Sequence, residues 1–274
     1  MEKETITSLQ NSRVKQVCAL QQKAAERRRT GLFVVEGRRE VERCAAAGYE
    51  IESLFYCTDL QEDHATSQGL IATLQTETYE VTPQVYEKMA YRGTTEGLLA
   101  LVREKTFRLE DLPETEKDGE EPLLVVLESV EKPGNLGAVL RSADAAKATA
   151  VIVCNEKCDI YNPNLIRSSL GARFSVPVIA CTSEECIAFL KRRGIQILTA
   201  QLQDSRPYYT TDMRKATALV MGTESTGLTQ QWREVADAHI LIPMRGQVDS
   251  LNVSVSTAIL LYEAVRQRLG GKES

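Results

Sequence analysis

Long hydrophobic runs are missing from this chain. Its longest apolar stretches are only a few residues, against the ~20 a membrane-crossing helix needs, so no such helix is expected. No CxxC pair occurs among the seven cysteines, at 18, 44, 57, 154, 158, 181 and 186. Cys57, Cys154 and Cys181 end apolar strand-like runs, where cysteine is usually a small buried hydrophobe. Cys154-x3-Cys158 and Cys181-x4-Cys186 lack ligand spacing and a neighbouring histidine, so no metal site is expected. Histidine is scarce: His64 and His239 are the two present, and neither falls in a loop that carries chemistry. Neither GxxxxGK[ST] nor GxGxxG occurs, which excludes the P-loop and the dinucleotide fingerprint. The opening MEKETITSLQ has no apolar segment of the kind secretory signals carry. With an odd number of cysteines and no signal, reduced thiols and a cytoplasmic location are expected.

What is present is ordinary in bulk and uneven in detail. The chain has 274 residues, 43% apolar and 26% charged, enough for two globular domains. A net charge of −5 argues against nucleic acid, but its distribution argues the other way. From Asn11 to Arg43 nine Lys/Arg face four Glu, whereas Glu104 to Glu121 holds eight acids and three bases. A basic segment beside an acidic connector suits a nucleic-acid binder.

Periodicity divides the chain at that connector. Residues 1–103 read as a small α/β domain, with helices from Ser12 to Arg29 and from Gly37 to Ala47 and strands at Leu32–Val35, Ser53–Cys57 and Leu98–Val102. Residues 104–121, charged and aperiodic, read as a linker. From 122 to 274 strands and helices alternate, which predicts a parallel sheet covered on both faces. Ligands on such sheets bind at the C-terminal strand ends, and three polar loops fall there. The first, Glu128 to Asn135, leads into a helix predicted from Leu136 to Lys147, with Asn135 at the capping position and Arg141 on the helix. The second, Gly222 to Gly227, presents Glu224. The third, Arg245 to Asn252, presents Ser250 and Asn252 before the last helix, with Ser250 readable as a plain helix cap.

Together the loops resemble the three motifs of the SpoU (TrmH) family of RNA 2′-O-methyltransferases, of the SPOUT class. The pieces are PGNLGAVLRSADAA (133–146), VMGTESTGL (220–228) and IPMRGQVDSLNVSVSTAILLYE (242–263), with NPNLIRSSLGARFSVPV (162–178) between motifs. NSRVK and FVVEGRREVE resemble, more loosely, the L30e-like RNA-binding domain of many members. The resemblance implies an S-adenosylmethionine pocket in a deep C-terminal trefoil knot and a homodimer with its active site at the subunit interface. By position, Gly222, Ile242, Leu251, Ala200 and Met244 are expected at the cofactor. Asn135, Arg141, Glu224, Ser250 and Asn252 match the polar catalytic set. Arg13, Lys15, Arg27, Arg28, Arg29 and Arg38 are expected on the RNA side. Two residues depart from the family pattern, Lys147 where a small residue usually ends the first-motif helix and Ser256 where alanine is usual. Lys147 is expected to alter helix packing.

The implied chemistry is attack of a ribose 2′-oxygen on a sulfonium methyl. Arginine stays protonated at neutral pH, so Arg141 either stabilises charge on the oxygen and its phosphate, or loses a proton only in a desolvated site. Ribosomal RNA is the first expected substrate. A tRNA, or a non-catalytic role in ribosome assembly, are the alternatives.

Overall fold

The computed structural model describes residues 5–61, 64–91, 96–116, 118–223 and 226–270. The chain divides into two compact units, Met1–Lys105 with Tyr161–Ser175, and Thr106–Ile160 with Val176–Ser274.

The first unit runs β1 (Thr5–Ile6), α1 (Ser12–Gln22), α2 (Ala24–Thr30), β2 (Leu32–Glu36), α3 (Arg38–Ala46), β3 (Ile51–Tyr56), α4 (His64–Leu74), β4 (Glu77–Val81), α5 (Pro83–Met89) and β5 (Leu98–Arg103). Its sheet has the order β1-β4-β3-β5-β2. β5 is antiparallel to both neighbours and the other pairs are parallel. Val14, Val17 and Leu20 of α1 bury against Phe55, Tyr86 and Leu99. The single helix expected from Ser12 to Arg29 is in fact two. Lys23 is extended, at φ −122° and ψ 111°. The break leaves the Leu20 carbonyl without a helical donor, and the buried Arg27 guanidinium donates to it instead. Asn11, not Ser12, caps α1, its Oδ1 accepting the Arg13 N–H at 2.8 Å. β4 is not evident from sequence, because ETYEV carries charge near each end and buries only its last residue.

The second unit opens with β6 (Leu123–Glu128), α6 (Pro133–Ala145) and β7 (Ala150–Cys154). The chain then supplies α7 (Pro163–Ser168) and α8 (Ala172–Ser175) to the first unit. There the rings of Tyr161 and Phe174 lie 4.4 and 6.3 Å from that of Phe33. Buried Arg173 donates to the Tyr49 hydroxyl at 3.0 Å.

The second unit resumes with β8 (Val178–Cys181), α9 (Ser183–Arg192), β9 (Gln196–Ala200), β10 (Arg206–Pro207), β11 (Thr217–Met221), α10 (Gln230–Val235), β12 (Ala238–Leu241) and α11 (Val253–Gly270). Its seven strands are all parallel, in the order β10-β12-β9-β11-β6-β7-β8. The expected parallel sheet is therefore present. Leu124, Val126, Ile152, Ile197 and Val220 pack with Phe189 of α9 and Trp232 of α10. The alternating Val125, Val151 and Leu219 are equally buried, and α11 packs against α6 and β11. Near its end, Arg268 donates to the carbonyls of Met213, Lys215, Glu121 and Pro122. One side chain thus holds the segments leading into β11 and β6. Thr182, rather than the expected Ser183, caps α9, in a capping box with Glu185.

Candidate functional site

A cavity of about 570 Å³ opens at the C-terminal ends of β9, β11 and β12, within the usual size range of small-molecule sites. Ala200, Gly222, Ile242, Met244 and Leu251 all line it, together with Ser250 and Asn252. Three loops far apart in sequence converge because β12, β9 and β11 are neighbours in the sheet.

The loop after β11 is closed on itself. Thr223 and Gly227 exchange backbone hydrogen bonds of 3.3 and 3.1 Å. The Thr223 and Thr226 hydroxyls share another at 2.7 Å. This ring leaves no space over Gly222, where an added Cβ would stand 2.3 Å from the Gly227 carbonyl carbon. The result is a stretch of bare backbone in the cavity wall. Glu224, expected in this loop, lies outside the described residues, as does the His64 side chain.

The loop before α11 corrects one reading of Ser250. Its hydroxyl donates to Asp249 Oδ1 at 3.1 Å. Asn252 caps the helix, with Oδ1 accepting from the Ser254 N–H at 2.9 Å and from the Ser254 hydroxyl at 2.6 Å. That leaves the Asn252 amide nitrogen to donate to Asn135 Oδ1 at 3.2 Å. Asn135 is not a cap either. α6 starts at Pro133, with Lys132 in the capping position. Proline suits the first helical position because it has no N–H to leave unsatisfied. Asn135 therefore lies in the first turn, with its side chain directed to another loop.

Arg141 lies on α6 and is exposed. It is not part of the cavity wall. Sequence reasoning missed Gln201 and Arg233, which do line it. Among the described residues Gln201 Oε1 and Arg233 Nε are buried without a hydrogen-bond partner. The one available signal for Gln201 was its place directly after a buried strand. Ser256 also lines the cavity. Lys147 takes the conformation a glycine would, at φ 53°. The Lys147 and Ala148 N–H groups close α6 on Asp144 and Ala143 at 3.1 and 2.8 Å, a Schellman ending. The left-handed conformation of this ending falls on Lys147.

Of the basic residues expected on the RNA side, Lys15 and Arg28 are exposed. Arg13 lies 4.2 Å from the Tyr79 ring centroid. Arg29 bonds Glu26 at 3.1 Å, and the Arg38 N–H donates to Glu96 at 2.7 Å. Arg27 is a correction. It is 2% exposed and holds Leu20, so it is no part of a charged face.

A model of the SpoU rRNA Methylase family matches residues 122–262, and one of the MRM3-like substrate binding domain matches 11–100. The chain is 30% identical to the 23S rRNA (uridine(2479)-2'-O)-methyltransferase of Streptomyces viridochromogenes, over 97% of this chain and 93% of that one. It is 37% identical to the 23S rRNA (guanosine-2'-O-)-methyltransferase RlmB of Escherichia coli K12, over 74% and 82%. An AdoMet-bound rRNA methyltransferase from Sinorhizobium meliloti superposes with a TM-score of 0.88 at 29% identity, covering 97% of this chain and 98% of that one.

Proposed function

Because the chain belongs to the SpoU rRNA methylase family, we propose that it transfers a methyl group from S-adenosylmethionine to a ribose 2′-hydroxyl of ribosomal RNA. The observation that carries this reading is the cavity, where five positions expected at the cofactor share one wall with Ser250 and Asn252. The pocket suits that cofactor in kind. Met221, Ile240 and Ile242 offer apolar surface, Gly222 offers bare backbone, and Gln201 Oε1 is a buried acceptor awaiting a donor. When bound, the cofactor supplies an electrophilic methyl on sulfur.

The chain's own residues do the rest. Asn252 holds the third loop to α11 and, through Asn135, to α6. Arg141 neutralises charge on the ribose-phosphate and on the oxygen as its proton leaves. Its position outside the cavity wall supports a second reading of the same site, in which Arg141 of one copy serves the pocket of another. Exposed Val255, Tyr262 and Leu269 recur every seventh residue along α11. This apolar stripe suits a homodimer through the second unit. We further read the loops around the cavity as a trefoil knot, 1–103 as the RNA-binding domain and the cytoplasm as the site of action; the segment 104–121, expected as a linker, instead sends Leu109 and Leu112 into the core of the second unit. Relatives matched over most of their length carry the names of 23S rRNA enzymes, which supports rRNA over tRNA.

Mapping 2′-O-methyl positions in total RNA from cells lacking the gene tests this reading. One ribosomal position is expected to lose its methyl. An unchanged ribosomal pattern overturns the substrate. With purified protein, Arg141→Ala is expected to cut transfer at least ~100-fold, as loss of a charge-stabilising group does, while cofactor binding persists.

A further inference from the structure

Three thiols that the methyl-transfer reading does not use meet at the β8 edge of the second sheet. Cys154 ends β7 and Cys181 ends β8, and the two are directly paired across the ladder. Cys186 lies in the first turn of α9. The three Sγ atoms all lie within 4.8 Å of one another. All three are free thiols, with Cys154 and Cys186 buried and Cys181 half-buried.

We propose that Cys154, Cys181 and Cys186 form a three-thiolate site for a soft, thiophilic d10 metal ion, of the Cu(I), Zn(II) and Cd(II) class. A planar trigonal ion with metal–sulfur bonds of about 2.3 Å needs sulfurs about 4 Å apart, which fits the observed spacing. Among the described residues no histidine or carboxylate joins the group. The donor set is therefore pure sulfur, which selects soft ions over magnesium or calcium. Half-exposed Cys181 gives the ion a way in. On binding, three S–H bonds break, three metal–sulfur bonds form and three protons are released, with no change of oxidation state. The sequence alone argues against such a site, because x3 and x4 spacings are not those of zinc motifs. The sheet brings together what the spacing separates. β8 is the last strand of its sheet, so the ion would staple an edge strand and its following helix to β7.

Titration of the reduced full-length protein with Cd(II) tests the site. One equivalent per chain is expected, read by native mass spectrometry and by a thiolate-to-metal charge-transfer band that saturates at that point. The melting temperature should rise with the free ion, since binding to the native state alone stabilises it. Cys181→Ala, at the half-exposed corner, should weaken Cd(II) binding at least ~100-fold, more than loss of an outer-shell partner does. Cys158→Ser and Cys18→Ser should leave it unchanged. Absence of a saturating band in the wild-type protein overturns the site whatever the variants do. A one-equivalent band that survives Cys181→Ala also overturns it.

Discussion

Asn252 donates its amide nitrogen to Asn135 Oδ1 at 3.2 Å, across 117 residues of chain. The other end of the Asn252 amide caps α11. One side chain thus fixes the start of α11 and the distance from its loop to α6. Asn252→Ala is expected to lower stability by about 1 kcal/mol, the usual loss with a helix cap, and to lower methyl transfer as well. Asn135→Ala should lower transfer with little effect on stability, because Asn135 caps nothing. A double-mutant cycle on transfer rates should give non-additive losses. Strict additivity would mean that this hydrogen bond does not matter for the reaction.

Gly222→Ala should displace the Thr223–Gly227 loop that lines the cavity proposed for S-adenosylmethionine. Its Cβ would stand 2.3 to 2.5 Å from backbone atoms of Gly227 and Leu228, and backbone cannot rotate away as a side chain can. Isothermal titration with S-adenosylmethionine should show binding weakened more than ~100-fold, the loss of about 3 kcal/mol expected when a packed backbone must shift. Wild-type affinity in this variant would remove the loop from the pocket.

Arg27 and its neighbours should behave oppositely. Neutralising Lys15, Arg28 and Arg29 is expected to reduce the salt slope of RNA binding by roughly one unit for each phosphate that is no longer neutralised. Arg27→Ala should leave the slope alone and cost about 1–3 kcal/mol of stability, because it strips the Leu20 carbonyl of its buried donor. Salt-dependent binding assays and urea unfolding separate the two.

Lys147→Gly should stabilise the second unit. At φ 53° a lysine is held in the left-handed region, a strain of about 1 kcal/mol that glycine avoids. The exposed pairing with Asp118 that disappears in exchange is of the kind worth little in water. A higher urea midpoint with an unchanged slope is the expected result.

Asp212 should contribute a pH-dependent component to stability on the acid side. The Arg214 guanidinium, bonded at 2.9 and 3.1 Å, and the Arg214 N–H hold its carboxyl down to about 2. An unfolded aspartate titrates near about 4. A depressed folded value means the contribution is complete above about pH 4 and is lost as pH falls towards 2. Asp212→Asn should therefore show a shallower loss of urea midpoint across that window than wild type.

Much of the second unit was legible because parallel strands are buried on both faces and read as apolar runs such as LLVVL and AVIVC. The cavity-wall positions Ala200, Gly222, Ile242, Met244 and Leu251 were legible only through the family resemblance, which placed them at the cofactor by position. What was not legible depended on distant groups. No local pattern could show that Asn135 would pair with Asn252, or that Arg27 would turn inward to a carbonyl seven residues before it. The same holds for Tyr161–Ser175. Its sequence follows a strand of the second sheet, yet its aromatic residues pack around Phe33. β4 escaped because charge breaks its strand pattern, and Gln201 because the segment after β9 has no glycine to mark a ligand loop.

The Arg268 clasp has a consequence for biogenesis. β6, near the start of the second unit, takes β11 as a neighbour about ninety residues later, and its entry is held by a guanidinium 146 residues on. During translation that strand must wait, with one edge open, until β11 has been made about ninety residues later. Pairings so distant in sequence slow folding, and waiting strand edges invite misassembly. This unit should therefore depend on chaperone shelter during synthesis, and truncation before Arg268 should send nascent chains to aggregation.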